Sequence, residues 1–329
     1  MKVSIIIPVY NVAPYMEDCL RSVMRQTYTG KMECLIVDDC GTDDSVAICE
    51  RMIAEYIGNI CFHILHHEQN KGLSAARNTG TLQAIGDYVF YLDGDDEITD
   101  HCIETLMEKI KEDPDAEMVQ GNTLKYFNTN KPVLQVKNIP RPHAVTNEMV
   151  RSCYYRYRQM SVNVWNKLIR RDFLVDNNIL FLEGIIHEDN LWTFYLLKYL
   201  KRATFVSDIT YHHRIRPDSI MTGTEYKIRN INFDVIYHDI LTHLTSGYEQ
   251  EEVNYYAKGI ALLYVRHKHD FQEVFQLCRD KCILYGCRGS RLRLDVSHAL
   301  GQFKYGWKIW YFIRKIREVW RGVKVRVKN

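Results

Sequence analysis

Tyr91-Leu92-Asp93-Gly94-Asp95-Asp96 closes an apolar run at residues 88–92, and three similar runs precede it at residues 3–7, 34–37 and 61–65. Helix-length amphipathic stretches lie between them, at residues 15–25, 45–57 and 74–85. Fully apolar strands alternating with helices in the order β-α-β-α-β-α-β predict a mostly parallel sheet covered on both faces. Ligands of such sheets bind in the crevice beyond the carboxyl ends of the strands. There the sequence places Pro8-Val9-Tyr10-Asn11, Asp38-Asp39 and Asp93-Gly94-Asp95-Asp96. Acid-rich strand ends repel a phosphate unless a divalent cation intervenes. Mg²⁺ and Mn²⁺ suit that role, since they favour oxygen ligands and bind through one or two carboxylates plus phosphate oxygens.

The α/β pattern continues through a helix near residues 101–111 and a strand near 117–124, then loosens into turns at 127–132 and 138–142 that suggest an antiparallel excursion. A second block runs from about residue 146 to 221, and from about 225 to 285 the chain reads as helical. With 329 residues and a usual ~150 per domain, the expected division is an α/β domain at 1–222 and a helical region at 223–329. Formal net charge is only +2, so nothing global argues for nucleic acid. Residues 303–329, however, carry nine Lys or Arg and one acid, with seven aromatics interleaved. Such a segment suits an anionic membrane interface or a helix packed on protein. Ten cysteines include no C-x-x-C pair, and several fall inside predicted strands or helices where a thiol behaves as a small apolar side chain, which fits a reducing compartment. The amino terminus reads as a strand rather than a signal peptide, and no apolar run approaches the ~18 residues of a membrane span. The expected location is the cytoplasm, with peripheral contact at the inner face of the cell membrane through the tail.

Each candidate site residue has a plain structural reading beside the functional one. Asp93 and Asp95 flank a glycine and can share a metal, while Gly94 lets a ligand approach the backbone; the alternative is a polar turn. Asp39 can accept hydrogen bonds from a ribose or a base, or it can begin an Asx-turn. Asp43 reads as a helix cap. In residues 70–80, Lys71, the glycine at Gly72 and Arg77 offer N–H groups and positive charge to a diphosphate, and caps alone do not explain an arginine among alanines. The pairs His66-His67 and His267-x-His269 are expected to lack carboxylate company and read as non-functional.

Taken together, Pro8-Val9-Tyr10-Asn11, Val37-Asp38-Asp39, Gly72-Leu73-Ser74-Ala75-Ala76-Arg77-Asn78-Thr79-Gly80 and Leu92-Asp93-Gly94-Asp95-Asp96 resemble the family 2 glycosyltransferases of the GT-A fold, a Rossmann-like sheet flanked by helices. The likeness covers roughly the first 220 residues and is nearest to bacterial enzymes that build capsular, lipopolysaccharide or exopolysaccharide chains. It implies that Pro8, Tyr10 and Asp39 hold the nucleotide, Arg77 the diphosphate, Asp93 the ribose or metal, and Asp95 the metal, Mg²⁺ or Mn²⁺. Trp165-Asn166-Lys167-Leu168 and the Glu188-Asp189 pair are similar to the family's W-x-K-L and x-E-D segments, which makes these two acids catalytic candidates and Asp189 the general base. The bland alternative is that both acids supply charge to the first turn of a helix at 190–199. Further on, Tyr211-His212-His213-Arg214-Ile215-Arg216 departs from the related Y-x-R-x-H pattern, which leaves three readings: His213 reaches the metal, Arg214 and Arg216 neutralise the diphosphate, or the histidine pair at a strand end is structural, the commoner case.

The resemblance implies an inverting, metal-dependent transfer of a sugar from a nucleotide diphosphate, most simply a UDP-sugar, to a saccharide or lipid-linked saccharide hydroxyl. Two rivals are a sugar-nucleotide nucleotidyltransferase and a non-catalytic saccharide-binding relative. The first wants a glycine- and base-rich loop after strand one, where Pro8-Val9-Tyr10-Asn11 stands. The second sits poorly with Asp39, Asp95 and Asp189 all present.

Overall fold

A computed structural model of the chain describes residues 1–127, 130–136, 139, 142–215, 232–267 and 270–301. The basic aromatic stretch at 303–329, Arg216 and His269 lie outside them. Two compact units are present, Met1–Arg229 and Asn230–Asn329. The boundary expected at residue 222 falls in a stretch, 216–231, that is not described.

The first unit runs β1 (Lys2–Val9), α1 (Ala13–Met24), β2 (Lys31–Asp38), α2 (Ser45–Glu55), β3 (Ile60–His66), α3 (Leu73–Gln83), β4 (Tyr88–Tyr91), β5 (Glu97–Ile98), α4 (Cys102–Glu112), β6 (Met118–Phe127), β7 (Asn130–Leu134), β8 (His143–Ala144), α5 (Asn147–Tyr155), β9 (Lys167–Arg170), α6 (Arg171–Asp176), α7 (Glu188–Tyr199) and β10 (Ala203–Ile215). One sheet joins the strands in the order β3-β2-β1-β4-β9-β6-β10-β5, with β7 on β6 and β8 on β10. Strands β1 to β4 are mutually parallel. Strand β9 runs antiparallel to both β4 and β6, and β10 is parallel to β6. The carboxyl ends of β1, β2, β4, β6 and β10 therefore share one edge.

Alternation sorts the side chains of β1 to the two faces of the sheet. Val3, Ile5 and Ile7 join Met16, Leu20, Ile103, Leu106 and Met107 of α1 and α4 in one core. Ile6 points to the opposite face and meets α3 at Gly80, where any Cβ would collide with the Ile6 Cγ2 methyl. That close approach brings the helix and its Arg77 down onto the sheet. The antiparallel excursion takes the form of β7 pairing with β6.

The helical region is described as α8 (Phe233–Thr242), α9 (Glu249–Arg266), α10 (Gln272–Leu284) and α11 (Arg288–Gly301). Helix α9 packs on α10 and α11, and the rings of Tyr264 and Phe275 stack 3.9 Å apart within this unit. Helix α11 lies beyond the clearest helical pattern at 225–285 and inside the helical region expected at 223–329.

Replacing Gly80 by alanine gains helix propensity of about 1 kcal/mol but forces a methyl against a stiff, fully buried isoleucine. Overpacking of this kind typically costs about 1–3 kcal/mol. Gly80→Ala is expected to lower the denaturant midpoint of the full chain; an unchanged or higher midpoint would show that α3 does not depend on this contact.

Candidate active site

The site begins with loops that the strand ends hold together. The Asp39 N–H donates to the Val9 carbonyl at 2.9 Å and the His67 N–H to the Asp38 carbonyl at 2.9 Å, lacing the ends of β1, β2 and β3. Asn11, in the left-handed region at φ 53°, accepts from the Thr42 N–H at 2.8 Å. Pro8 is buried at the end of β1 and Tyr10 is 48% exposed, so Tyr10 offers a ring at the crevice mouth.

Asp39 is buried, and both its oxygens are occupied. They accept from the Lys71 N–H at 2.8 Å and the Gly72 N–H at 2.7 Å, and Oδ1 also meets His67 Nδ1 at 2.7 Å. This carboxylate shapes the loop leading into α3, in which Gly72 has φ 88°. The Asx-turn forms from its neighbour, since the Gly41 N–H reaches Asp38 Oδ1 at 3.2 Å. The two histidines are therefore not without acidic company. His66 Nδ1 lies 3.0 Å from Asp38 and His67 is held between Asp39 and Thr79 Oγ1. Sequence reading failed here because parallel pairing of β2 with β3 makes Asp38 and His66 neighbours, although 28 residues separate them. Asp43 accepts from the Ala13 N–H at 2.8 Å at the start of α1 and from the Ser45 N–H at 3.1 Å at the start of α2, whose N-cap position is Asp44.

Arg77 occupies the centre. It is 3% exposed, with Nη2 donating to Asp93 Oδ1 at 2.7 Å and Nη1 to Glu188 Oε1 at 2.5 Å. Burial works against its charge, but Asp93 and Glu188 outweigh that and hold its pKa above the ordinary arginine value. The guanidinium also lies 5.5 Å over the Phe181 ring. Next to it, Asn78 accepts from the Phe181 N–H at 2.8 Å and donates to the Phe181 carbonyl at 2.9 Å. Phe181 in turn stacks on Trp192 of α7. One turn of α3 thus positions both the loop after β4 and the start of α7.

Gly94 lies against the end of β1: a Cβ there would stand 3.1 Å from Val12 Cγ2 and 3.2 Å from the Pro8 carbonyl oxygen. Asp93 and Asp95, on either side, both keep part of their surface open to solvent, whereas Asp96 is 1% exposed. Asp96 accepts from Tyr211 Oη at 2.8 Å and the Arg214 N–H at 2.8 Å, and His213 Nδ1 lies 3.1 Å away. Burial pushes the Asp96 carboxyl up to about 6, with His213 opposing. Trp165 stacks on Tyr211 at 4.5 Å and on His213 at 5.1 Å, which gives the W-x-K-L tryptophan its purpose. Asp96 was not singled out from sequence as an anchor; the third carboxylate of its run was the available signal. Arg214 is engaged elsewhere, donating to Asp18 at 3.1 Å and Glu97 at 2.8 Å. Among the described residues no group of three His, Cys, Asp or Glu side chains is arranged to hold a metal by itself. The partly exposed, all-oxygen pair Asp93 and Asp95 nevertheless fits a hard divalent cation that completes its shell with phosphate oxygens and water.

Helix α7 starts at Glu188, two residues earlier than expected, after His187 in the left-handed region at φ 65°. Glu188 and Asp189 are its first two residues. Burial and the neighbouring Glu188 charge raise the Asp189 carboxyl to about 7, while Arg77 and a hydrogen bond from Asn190 pull it down. Asp189 still keeps some surface open. Lys167 is fully buried, and burial lowers its pKa to about 7 against the charge of Asp189. Its ammonium donates to Ser161 Oγ at 3.0 Å and to the Asn163 carbonyl. Sequence reading recorded Lys167 only as part of a motif.

Residues 4–174 match the family described as Glycosyl transferase family 2. The chain belongs to that family. The uncharacterized glycosyltransferase YibD of Escherichia coli (strain K12) is 31% identical over 283 residues, covering 84% of this chain and 78% of its own. Among solved structures, TarS 1–349 of S. aureus in complex with UDP-GlcNAc superposes with a TM-score of 0.67 at 20% identity, over 90% of each chain. The mannosyltransferase PcManGT from Pyrobaculum calidifontis, in complex with GDP-Man and Mn²⁺, does so with a TM-score of 0.50 at 14% identity, over 94% of this chain and 82% of that one. These structural likenesses show the GT-A fold. This glycosyltransferase is an enzyme, and the family match ends before Glu188 and Asp189.

Removing one partner from a buried ion-pair network leaves uncompensated charge and typically costs about 3–5 kcal/mol. Arg77→Met is expected to destabilise the glycosyltransferase by that order at pH 8. Arg77 lowers the Asp189 pKa, so its loss raises that folded-state value further above the unfolded one, and the variant regains stability as pH falls and Asp189 protonates. Denaturant unfolding at pH 8 and pH 5 checks this: an equal loss at both would mean that Arg77 acts only by filling space.

Proposed function

We propose that this enzyme transfers a sugar from a nucleoside diphosphate donor, a UDP-sugar, to a hydroxyl of a saccharide acceptor in polysaccharide synthesis, inverting the anomeric centre in a single in-line displacement. The observation that carries the reading is the convergence, through Arg77, of the acid loop after β4 with Glu188 at the start of α7. Donor-side and acceptor-side carboxylates are thereby set on one frame.

The donor base and ribose would lie against Pro8, the exposed ring of Tyr10, and the loop that Asp39 shapes through Lys71 and Gly72. Asp93 and Asp95 would hold Mg²⁺ or Mn²⁺, which when bound supplies positive charge to the departing diphosphate; Gly94 leaves room for close approach. Arg77, held by Asp93 and Glu188, contributes charge beneath the diphosphate and keeps the two loops in register.

On the acceptor side, Asp189 is the general base. The acceptor oxygen forms its bond to the anomeric carbon, the bond from that carbon to the diphosphate oxygen breaks, and the hydroxyl proton passes to Asp189. A carboxylate that titrates near neutrality is matched to that task. Glu188 supports it through its charge, which raises the Asp189 pKa. The partial exposure of Asp189 favours transfer over a purely saccharide-binding role.

The acceptor class carried over from the family resemblance is a saccharide or lipid-linked saccharide at the inner face of the cell membrane. No helix among the described residues is long and apolar enough to cross a membrane. Contact with lipid would come from the nine cations and seven aromatics of residues 303–329, near an anionic surface that attracts such charge.

Asp189→Asn is expected to keep donor affinity within a few-fold and to reduce transfer ~10²–10⁴-fold, the usual worth of general-base catalysis. Because the base must be deprotonated, kcat/KM of the unaltered enzyme should rise with pH through about 7, the value to which the Asp189 pKa is raised. Full transfer by the variant, or no acid limb in the wild-type profile, would place the base elsewhere.

A further inference from the structure

An acidic crevice that takes an anionic donor needs cations, and most of those at this edge are already engaged. Arg77 is bound to Asp93 and Glu188, Arg214 to Asp18 and Glu97, and Lys167 to Ser161 and the Asn163 carbonyl. Lys125 differs. It lies near the carboxyl end of β6, and parallel pairing sets it opposite His213 of β10, as it sets Thr123 opposite Tyr211. Paired residues project to the same face of a sheet, so Lys125 shares the face on which Tyr211 and His213 hold Asp96 and stack on Trp165.

Lys125 is half-buried, and no described residue forms a hydrogen bond or ion pair with its Nζ. Burial pushes its pKa below the ordinary lysine range, with Asp96 pulling the other way. Asp96 is no partner for it, because that carboxylate already receives Tyr211 Oη, the Arg214 N–H and His213. A half-desolvated ammonium with no hydrogen-bond partner among the described residues is costly. An anion delivered to the Asp93-Gly94-Asp95 loop would relieve that cost.

We propose that Lys125 is a donor-binding residue that holds the diphosphate of the nucleotide, an assignment that rests on the donor class given above. Its ammonium bonds the phosphate oxygens in the bound donor and stays with them as the nucleotide leaves.

Calorimetric titration of the full chain, with Mn²⁺ present, against UDP and GDP tests this, alongside saturation-transfer NMR of the matching nucleoside. Lys125→Met keeps the stem and removes the charge. It should weaken nucleoside diphosphate binding about tenfold or more, the worth of one charge-assisted hydrogen bond, and leave nucleoside binding unchanged. Lys125→Arg should restore most of the affinity. Undiminished diphosphate affinity in Lys125→Met, or an equal loss of nucleoside and diphosphate, overturns the assignment. Failure of the unaltered chain to bind either nucleotide would overturn the donor reading and this residue's role with it, so the two failures are told apart.

Discussion

The site depends on one buried guanidinium. Arg77 is anchored by close packing of α3 on β1, and its two amino groups reach acids that are 16 and 111 residues away in sequence. The Asp93 loop lies outside the regular elements, and Glu188 is the very first residue of α7. Each is located by what it bonds. A fork of fixed geometry is suited to this, because its planar donors set the relative orientation of two carboxylates as well as their separation. A lysine in its place would supply charge without that constraint.

Around this frame the acids divide their work by burial. Asp39 and Asp96, both almost inaccessible, are spent on protein: one orders the loop before α3, the other fixes β10 through Tyr211, Arg214 and His213. Asp93, Asp95 and Asp189 keep some surface open. In the proposed function these are the acids that would offer charge to a metal or a proton. On that proposal the same residue type serves as scaffold where it is dry and as reagent where it is wet, with one step along the chain separating buried Asp96 from partly exposed Asp95.

Local pattern carried much of this. The four strands and three helices of residues 1–91 are visible as alternating apolar runs, because a doubly covered parallel sheet demands continuous apolarity in each strand. An arginine among small residues in α3 also stood out before its partners were known. What escaped was non-local. Strand β9 is only four residues long and enters between β4 and β6 in the opposite sense, with Lys167 buried at its start. No periodicity announces so short a strand. The pairing of His66 and His67 with Asp38 and Asp39, the stacking of Trp165 on Tyr211 and His213, and the reach of Arg77 to Glu188 all depend on strand order and crossover, which local spacing does not contain.

The central claim is that an acid-lined strand edge binds an anionic donor through a divalent cation held at Asp95 and Asp93. Calorimetric titration of UDP into the 329-residue chain, with Mn²⁺ and then with excess EDTA, tests it most directly, with Asp95→Asn as the companion variant. The account predicts binding that needs Mn²⁺ and is lost in Asp95→Asn while the variant's circular dichroism stays unchanged. Equal UDP affinity with and without Mn²⁺, or undiminished Mn²⁺-dependent affinity in a folded Asp95→Asn variant, would contradict it.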